Sequence, residues 1–461
     1  MQISSLKDIK KVHFIGIGGI SMSGLAHVLL NQGYAVTGSD MKQSGITDEL
    51  VKAGVKVYIG HSEDNIESET DLVVYTAAVK ETNPEFINAK VKNINMIDRA
   101  TLLGYLMKEY KYSLAISGTH GKTTTTSMVS HILLEAQCDP TISVGGILKS
   151  INGNIRVGNS DYFVTEACEY CDSFLKFFPY IAVILNVEKD HVDYFKNMDA
   201  IYESFRRFAN LVPKEGALII NKDIPSIDKI ISEVNTNVIT YGYKITADYN
   251  AEGITYDELG LPSFDVIYKN ELIGNINLSV RGDHNVSNAL AAIATARFLE
   301  IEFKDIKRGL QSFVGTDRRF EIKGKVDGIT IIDDYAHHPT EITATLEAIK
   351  KFPHNKLWCI FQSHTYTRTK EFLEEFALSL SKADNIIIAD IYAAREQNTV
   401  GVYPDDIVTR IHKYNENAIH IPNFDDIKNY VLSRASAGDV ILTMGAGNID
   451  EVGDMILKSV R

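Results

Sequence analysis

Apolar residues recur along this 461-residue chain in short runs that are separated by amphipathic stretches. The apolar run Lys11–Ile17 is typical of a buried strand. The stretch Ser21–Asn31 repeats its apolar positions at three- and four-residue spacing, which is typical of a helix. Strands that alternate with helices indicate βαβ units and parallel sheets covered on both faces. The pattern therefore predicts an α/β fold.

The alternation falls into three blocks, and we predict one domain for each. Residues 1–107 form a Rossmann-like domain that ends with a helix at Arg99–Glu109, and its strands are Lys11–Ile17, Ala35–Ser39, Lys56–Ile59 and Asp71–Tyr75. Residues 108–312 form a second domain, with a turn at Gly118–Lys122 that continues as a helix to about Glu135, a helix at Asn285–Leu299, and strands at Tyr112–Ser117, Tyr162–Thr165, Ile181–Asn186 and Ala217–Asn221. Its stretch Asp248–Val280 has short alternating segments and turns, which predict antiparallel strands. Residues 313–461 form a doubly wound third domain with strands at Ile329–Ile332, Leu357–Phe361, Asn385–Ala389, Ala418–Ile421 and Val440–Met444.

Charge and cysteine content narrow the function classes. The formal net charge is −13, so the chain is a poor non-specific binder of nucleic acid or anionic membrane. We see no leader sequence and no apolar stretch of membrane-spanning length. Four cysteines argue against a disulfide framework and favour a cytoplasmic location. Cys168 and Cys171 form one C-x-x-C, which we interpret as two small residues beside a strand end, because a zinc site needs more ligands.

The strongest chemical motif is the segment Ser117–Thr124, which follows a predicted strand and opens a predicted helix. Backbone N–H groups converge on an anion in such a turn, and Gly118 and Gly121 allow the phosphates to approach closely. Lys122 then supplies positive charge to the outer phosphates, and the Thr123 hydroxyl is a candidate Mg²⁺ ligand. Ile116 stands where a standard Walker A loop has its first glycine. A simple helix-capping turn would leave the order Gly-Lys-Thr unexplained.

A second glycine turn, Gly16–Ser21, also lies between a strand and a helix. It is similar to a dinucleotide-binding turn, although Ser21 stands at the third glycine position. Asp40 ends the second strand, where a ribose-binding acid belongs. NAD, the diphosphate of another nucleotide and a purely structural turn are all compatible with this segment.

Several segments together resemble the Mur ligases and the folylpolyglutamate synthetases. These are the loop Gly118–Thr124, Glu166 after a strand, the run Asn186–Asp193, the run His284–Ala289 and the run Asp317–Glu321. The resemblance implies that Gly118, Thr119, His120, Gly121, Lys122, Thr123, Thr124, Asn285, Asn288 and Arg319 bind ATP. It also implies that Thr123 and Glu166 hold one Mg²⁺ and that His191 helps to hold a second.

Further stretches resemble the family members that act on UDP-N-acetylmuramate and L-alanine. They are the runs Gly16–Gly24, Asp333–Glu341 and Gln362–Thr369. The last run departs from the family, since Ser363 replaces the usual proline and Thr365 stands where many members have arginine. The resemblance implies that Gly18, Gly19, Ser21 and Asp40 bind the UDP part of the substrate.

The resemblance implies a complete reaction. ATP would phosphorylate the carboxylate of UDP-N-acetylmuramate, and L-alanine would displace phosphate from the acyl phosphate to give an amide, in peptidoglycan precursor synthesis. Lys122, Glu166, His191, His337 and Arg368 would be the catalytic residues, with His337 and Arg368 at the amino acid. The two Mg²⁺ ions and Lys122 would supply the positive charge that stabilises the transferring phosphoryl group.

Three other functions compete with this hypothesis. A nicotinamide dehydrogenase would use the first glycine turn and leave Gly118–Thr124 without a role. A regulatory or motor P-loop NTPase would need no second nucleotide site. A family member that recycles a tripeptide onto the same sugar nucleotide is the nearest rival. The oligomeric state and the tolerance for glycine or serine in place of alanine are not determined by the sequence.

Overall fold

The computed structural model describes residues 6–76 and 78–459 and divides them into two compact units. The first unit contains the described residues up to Val187 together with Tyr202–Thr240 and Ala291–Asp305. The second contains Glu188–Ile201, Tyr241–Leu290 and the described residues from Ile306 onward. The three-domain division of the sequence analysis stays a prediction.

Strands and helices alternate through most of the described chain. The strands are β1 (Lys11–Ile15), β2 (Ala35–Asp40), β3 (Lys56–Ile59), β4 (Leu72–Tyr75), β5 (Asn95–Asp98), β6 (Tyr112–Ser117), β7 (Thr141–Leu148), β8 (Gly153–Arg156), β9 (Tyr162–Ala167), β10 (Ile181–Ile184), β11 (Ala217–Asn221), β12 (Asn237–Gly242), β13 (Tyr249–Tyr256), β14 (Pro262–Tyr268), β15 (Glu271–Asn277), β16 (Glu321–Val326), β17 (Ile329–Asp334), β18 (Leu357–Phe361), β19 (Asn385–Ile388), β20 (Ala418–His420) and β21 (Val440–Met444).

The α-helices are α1 (Ile20–Asn31), α2 (Gly45–Lys52), α3 (Pro84–Val91), α4 (Arg99–Met107), α5 (Lys122–Glu135), α6 (Met198–Ala209), α7 (Asp228–Ile231), α8 (Asp283–Phe298), α9 (Phe303–Ser312), α10 (Pro339–Lys350), α11 (Tyr366–Glu371), α12 (Leu373–Leu380), α13 (Pro404–Ile411), α14 (Phe424–Leu432) and α15 (Asp450–Lys458). Short 3-10 helices occupy Glu63–Asn65, Lys149–Ile151 and Tyr170–Lys176. Among the residues described, no helix is long and apolar enough to cross a membrane.

Parallel sheets dominate the first unit. Its N-terminal sheet has the order β3-β2-β1-β4-β5, and all of its strand pairs are parallel. A second sheet continues in the order β11-β10-β6-β9-β7-β8, in which β8 alone pairs antiparallel within that run. Ile15, Val73 and Phe86 belong to a buried apolar cluster between the N-terminal sheet and α3. This part of the predicted α/β fold is confirmed.

The second unit contains a six-stranded sheet of order β16-β17-β21-β18-β19-β20. Its strands pair in parallel except for the edge pair β16 and β17. Buried clusters cover both faces, one around Phe361 and Phe376 and the other around Trp358 and Ile441. The predicted antiparallel stretch is confirmed as β13-β14-β15.

Several predicted boundaries were wrong. β1 ends at Ile15 and not at Ile17, because Gly16 adopts φ 85° and turns the chain. β10 ends at Ile184 and not at Asn186. The predictions also missed β5, β7, β8, β12 and β16, which are short or rich in glycine and polar residues. Sheet pairing with neighbours stabilises such strands despite their weak local preference.

Candidate functional site

The predicted phosphate loop lies between β6 and the N-terminus of the 14-residue helix α5. Gly118 and Gly121 have φ values of 143° and 83°, which strongly favour glycine. A Cβ atom at Gly118 would lie 3.0 Å from the Leu185 Cβ, so the loop also has no room for a side chain there. The first N–H groups of α5 have no partner within the helix and are therefore free to bind an anion.

Asn186 fixes the shape of this loop. Its Oδ1 accepts a hydrogen bond from the His120 backbone N–H at 2.7 Å, and its Nδ2 donates to the His120 carbonyl at 3.0 Å. The Thr119 N–H donates to the Asn186 carbonyl at 3.2 Å. Asn186 therefore holds the backbone of Thr119 and His120, through its own carbonyl and its side-chain amide respectively, and sequence reasoning missed this role.

Lys122 folds back on the loop. Its Nζ donates to the carbonyl of Gly118, to the carbonyl of Thr119 at 3.0 Å and to Glu169 Oε2 at 3.1 Å. Burial lowers the pKa of Lys122, but the neighbouring acidic groups, chiefly Glu169, together outweigh burial and the net shift is upward. Lys122 is therefore a fixed cation. Glu169 was not among the predicted site residues, and only its position three residues after Glu166 could have suggested it.

Thr123 and Glu166 both border the glycine pair of β7. Glu166 lies in β9, beside Ile116 of β6 in the strand register, and it accepts a hydrogen bond from the Gly145 N–H. A Cβ atom at Gly145 would lie 2.9 Å from the Glu166 carboxylate oxygens, and one at Gly146 would lie 3.3 Å from the Thr123 Cγ2. A hydroxyl and a carboxylate are oxygen donors of the kind that Mg²⁺ prefers. Glycines at these two positions leave space beside both groups.

The first glycine turn is stabilised by Asp40. The Gly18 N–H donates to Asp40 Oδ2 at 2.9 Å, and a Cβ atom at Gly18 would lie 2.8 Å from the same oxygen. Gly19 is the N-cap residue of α1, and the Ser21 hydroxyl accepts a hydrogen bond from Arg99 at 2.9 Å. Asp40 thus lies at the end of β2 as predicted, and one of its oxygens holds the turn. Ribose binding by Asp40 stays a prediction.

In the second unit, His337 lies between β17 and α10. Its Nδ1 lies 3.0 Å from the Tyr335 carbonyl and 3.4 Å from Glu341 Oε2. Both neighbouring oxygens are acceptors, so the proton belongs on Nδ1 and Nε2 carries the lone pair. Burial lowers the pKa of His337 to about 4, against the opposite effect of Glu341. The imidazole is therefore neutral at pH 7.

Arg368 forms a buried ion pair with Asp190. Its Nη2 lies 2.7 Å from Asp190 Oδ1, and the two side chains are 13% and 9% exposed. Its Nη1 lies 3.5 Å from His364 Nδ1, and the His364 ring contacts the His337 ring with centroids 6.2 Å apart. Burial raises the pKa of Asp190, but Arg368 and His191 together outweigh burial and hold that pKa well below its usual range. The structure thus brings the predicted residues His337 and Arg368 into one cluster.

The two departures in this segment have local explanations. The Ser363 hydroxyl lies 2.6 Å from the Thr369 hydroxyl, and both side chains are buried. Thr365 is the N-cap of α11, with its hydroxyl 3.5 Å from the Arg368 N–H, and its backbone adopts φ 65° and ψ 148°. That conformation is strained for a β-branched residue. Thr365 therefore caps α11, and the Arg368 guanidinium lies beside Asp190 and His364.

His191 contacts the Asp190 carboxylate, which also pairs with Arg368. Its backbone N–H donates to Asp190 Oδ1 at 2.7 Å, and its Nε2 lies 3.9 Å from Asp190 Oδ2. The backbone of His191 has φ 49°, which is uncommon outside glycine. Metal binding by His191 stays a prediction.

The arginine pair divides into a structural residue and a candidate site residue. Arg318 donates to Asp333 at 3.0 Å and to the carbonyls of Gly445 and Gly447, so its guanidinium is committed to the fold. Arg319 lies 3.9 Å from Glu341 Oε1, with its guanidinium carbon 5.1 Å from the Tyr335 ring centre. The predicted ATP ligand, Arg319, therefore lies beside the same Glu341 that His337 contacts.

The two predicted adenine-side asparagines bond to each other at the start of α8. Asn288 Nδ2 donates to Asn285 Oδ1 at 3.0 Å, and Asn285 Nδ2 donates to the Arg281 carbonyl at 2.6 Å. Both side chains are buried. The pair shapes this helix terminus, and a contact with adenine stays a prediction.

The C-x-x-C cysteines follow β9. Neither forms a disulfide with a described residue, Cys171 is exposed with φ 53°, and Cys168 is partly exposed. Burial raises the pKa of the Cys168 thiol. The interpretation as two small residues beside a strand end stays a prediction.

Three family models match successive parts of the chain. The matches are the Mur ligase family catalytic domain at residues 11–111, the Mur ligase middle domain at residues 116–296, and the Mur ligase glutamate ligase domain at residues 318–447. The three matched segments lie in the order expected from the sequence blocks.

Relatives and solved structures match over nearly the whole length. UDP-N-acetylmuramate–L-alanine ligases of Clostridium botulinum (strain Langeland) and Clostridium acetobutylicum are each 53% identical, over 99% and 97% of this chain and 100% and 98% of theirs. The crystal structure of the UDP-N-acetylmuramate-alanine ligase of Thermotoga maritima matches with a TM-score of 0.82 at 29% identity, over 97% of this chain and 98% of that one. A murein peptide ligase of Psychrobacter arcticus matches with a TM-score of 0.72 at 27% identity, over 98% of both chains. From these matches, this chain belongs to the Mur ligase family.

Proposed function

We propose that this chain joins L-alanine to the lactyl carboxylate of UDP-N-acetylmuramate, with cleavage of ATP to ADP and phosphate, in peptidoglycan precursor synthesis. The observation that carries the proposal is the 53% identity over 99% of the chain with a ligase of that name. The carboxylate attacks the γ-phosphorus of ATP and ADP leaves, which gives an acyl phosphate. The alanine amine then attacks the acyl carbon and expels phosphate. The cytoplasmic location stays a prediction.

The phosphate loop would bind the ATP phosphates. Gly118, Gly121 and the first turn of α5 at Thr124 would face the phosphates. Thr119 and His120, whose N–H groups donate to Asn186, would keep the loop in the shape that receives them. Lys122 is a fixed cation within this loop and would stabilise the charge on the transferring phosphoryl group. Asn285 and Asn288 would lie on the adenine side, and Arg319 would contribute a further positive charge to the phosphates.

The oxygen donors beside the β7 glycines fit Mg²⁺. Thr123 and Glu166 would hold one ion, and His191 would help to hold a second. Bound Mg²⁺ would supply positive charge to the phosphate oxygens. The protein's own contribution is to keep Glu166 in place through the Gly145 N–H.

Two polar groups would receive the amino acid. His337 is neutral at pH 7 with its lone pair on Nε2, so it can accept a hydrogen bond from the alanine amine. The Arg368 guanidinium, held at one nitrogen by Asp190, can offer further N–H groups to the alanine carboxylate. Gly18, Gly19, Ser21 and Asp40 would bind the UDP part of the other substrate.

The proposal is tested by coupled phosphate release from ATP with UDP-N-acetylmuramate as acceptor. L-Alanine should support turnover, and phosphate release should stop when either the sugar nucleotide or the amino acid is omitted. Preference for a tripeptide over L-alanine would instead favour a peptide ligase, as the name of the murein peptide ligase with 27% identity indicates. Phosphate release that needs neither acceptor would favour a simple NTPase.

A further inference from the structure

A fully buried carboxylate lies beneath the carboxyl edge of the N-terminal sheet. Glu85, on α3, is 0% exposed, and four donors contact it. Oε1 lies 2.8 Å from Asn65 Nδ2 and 3.0 Å from His61 Nδ1, whereas Oε2 lies 2.6 Å from the Ser39 hydroxyl and 3.1 Å from His13 Nε2. Burying a charged carboxylate is costly unless it is fully bonded. The four hydrogen bonds offset the cost of burying Glu85, which has no role in the reaction described above.

The donors determine the ionisation of Glu85. Burial raises the pKa of this carboxyl, but the hydrogen bonds from His13, Ser39, Asn65 and His61 together lower it to about 2. An ionised carboxylate only accepts hydrogen bonds, so each of the four partners must donate to it. Each of the four hydrogen bonds therefore runs from the partner to Glu85.

The same reasoning locates the protons on both histidines. His13 carries a proton on Nε2 towards Glu85, and its Nδ1 accepts from the Thr37 hydroxyl at 2.8 Å. Ser39 gives its one hydroxyl proton to Glu85, so its oxygen can only accept from His61 Nδ1, 3.1 Å away. Both contacts of His61 Nδ1 therefore require a proton on that nitrogen.

The other nitrogen of His61 is left as an acceptor. His61 is 15% exposed, and no described residue forms a hydrogen bond with its Nε2. With the proton on Nδ1, a neutral ring has its lone pair on Nε2. The partly open side of this ring therefore offers an acceptor.

The position of His61 indicates which ligand group can donate a hydrogen bond to its Nε2. The turn Gly16–Gly19 follows β1, Asp40 is the last residue of β2, and His61 follows β3. These parallel strands end at one edge of the sheet, in the order β3-β2-β1. Ligands of doubly wound sheets bind outside this edge, with the diphosphate at the glycine turn and the ribose beside the acid that ends β2. A nucleotide bound in this way extends its base towards the end of β3, where His61 lies.

We propose that Glu85 is a positioning residue of the sugar-nucleotide site, which holds His61 with its proton on Nδ1 so that Nε2 accepts a hydrogen bond from the uridine. The donor is the imide N–H of uracil or a ribose hydroxyl. This inference rests on the proposed function, because it assumes a uridine nucleotide at the first sheet. Glu85→Gln places an amide N–H₂ group against donors, so one of its neighbours must reverse, and His61 can do so by moving its proton to Nε2.

The test uses the full-length protein labelled with ¹⁵N-histidine. Long-range ¹H–¹⁵N spectra should identify His61 as the Nδ1–H tautomer in the unsubstituted protein and as Nε2–H in Glu85→Gln. The Kd for UDP should rise at least about 10-fold in the variant, whereas the KM for ATP should change little. Weaker binding of CDP than UDP by the unsubstituted protein would identify the imide as the donor, and weaker binding of 2′-deoxy-UDP would identify the ribose.

Thr37→Val is the matched control. It removes a hydrogen bond from the His13 side of the same network and should lower stability without changing the His61 tautomer or UDP binding. An Nε2–H tautomer of His61 in the unsubstituted protein would overturn the proposal even if Glu85→Gln does not fold. Unchanged UDP binding in a folded Glu85→Gln protein would also overturn it. Failure of the unsubstituted protein to bind UDP-N-acetylmuramate would instead refute the proposed function, and the tautomer would still be measured independently.

Discussion

Replacing Arg368 with lysine tests the amino-acid end of the site. The Arg368 Nη2 lies 2.7 Å from Asp190 Oδ1, and both side chains are almost buried. Lysine keeps the positive charge, so Asp190 retains a cation, but it lacks the planar fork that can bind Asp190 and a second carboxylate at once. The substitution should therefore affect alanine binding more than folding.

The magnitude follows from one lost charge-assisted hydrogen bond. Such a bond contributes roughly 1.5–3 kcal/mol, which corresponds to a rise of about 10- to 150-fold in the KM for alanine. The KM for ATP should stay close to its original value. Coupled phosphate release with alanine and ATP varied in turn measures both constants, and thermal unfolding checks that the variant is folded.

A surface arginine provides the control. Arg410 pairs with Glu374 at 2.6 Å but is 40% exposed, so Arg410→Lys should leave both KM values unchanged. An equal rise in both KM values for Arg368→Lys would mean that Arg368 contacts a phosphate. No kinetic change would mean that Arg368 serves only to hold Asp190, and either result would refute the reasoning.

Three further predictions concern the phosphate loop, the metal ions and pH. Lys122→Ala removes the cation that pairs with Glu169, so it should lower the free energy of unfolding by up to about 3–5 kcal/mol. Adding Glu169→Gln should restore the melting temperature but leave acyl-phosphate formation reduced by on the order of 10²-fold or more. Near-normal ligation would refute the assignment of Lys122 to the ATP phosphates. Glu166→Ala should raise the Mg²⁺ concentration needed for ATP use, whereas His191→Ala should mainly slow acyl-phosphate formation. Identical Mg²⁺ titrations for the unsubstituted protein and both variants would exclude these metal sites. The pKa of His337 is lowered from 6.5 to about 4, so the unfolded chain binds a proton first and the free energy of unfolding falls as pH drops from 6.5 to 4. His337→Asn should remove this fall, which amounts to about 2–3 kcal/mol between pH 7 and pH 4.5 in urea unfolding, and an unchanged pH profile would contradict this.

Local patterns were sufficient for the phosphate loop. The strand β6, the turn with glycines at 118 and 121 and the helix that follows it are all read from neighbouring residues. The structure agrees with each of them and begins α5 at Lys122, within the predicted turn. Apolar periodicity reports burial, and glycine reports backbone conformations that other residues avoid. For the same reason the pattern alone predicted the α/β fold and the antiparallel stretch β13–β15.

Contacts between distant parts of the chain were decided only by the tertiary structure. Asp190 and Arg368 are 178 positions apart, and Glu85 lies 72 positions from His13. No periodicity or spacing links such residues, because strand order and helix packing bring them together only after the chain has folded. The sequence by itself therefore determined which residue types were available for phosphate, metal and carboxylate chemistry. The tertiary structure determined their partners, and through those partners the charge of Lys122, the neutrality of His337 and the proton position on His61.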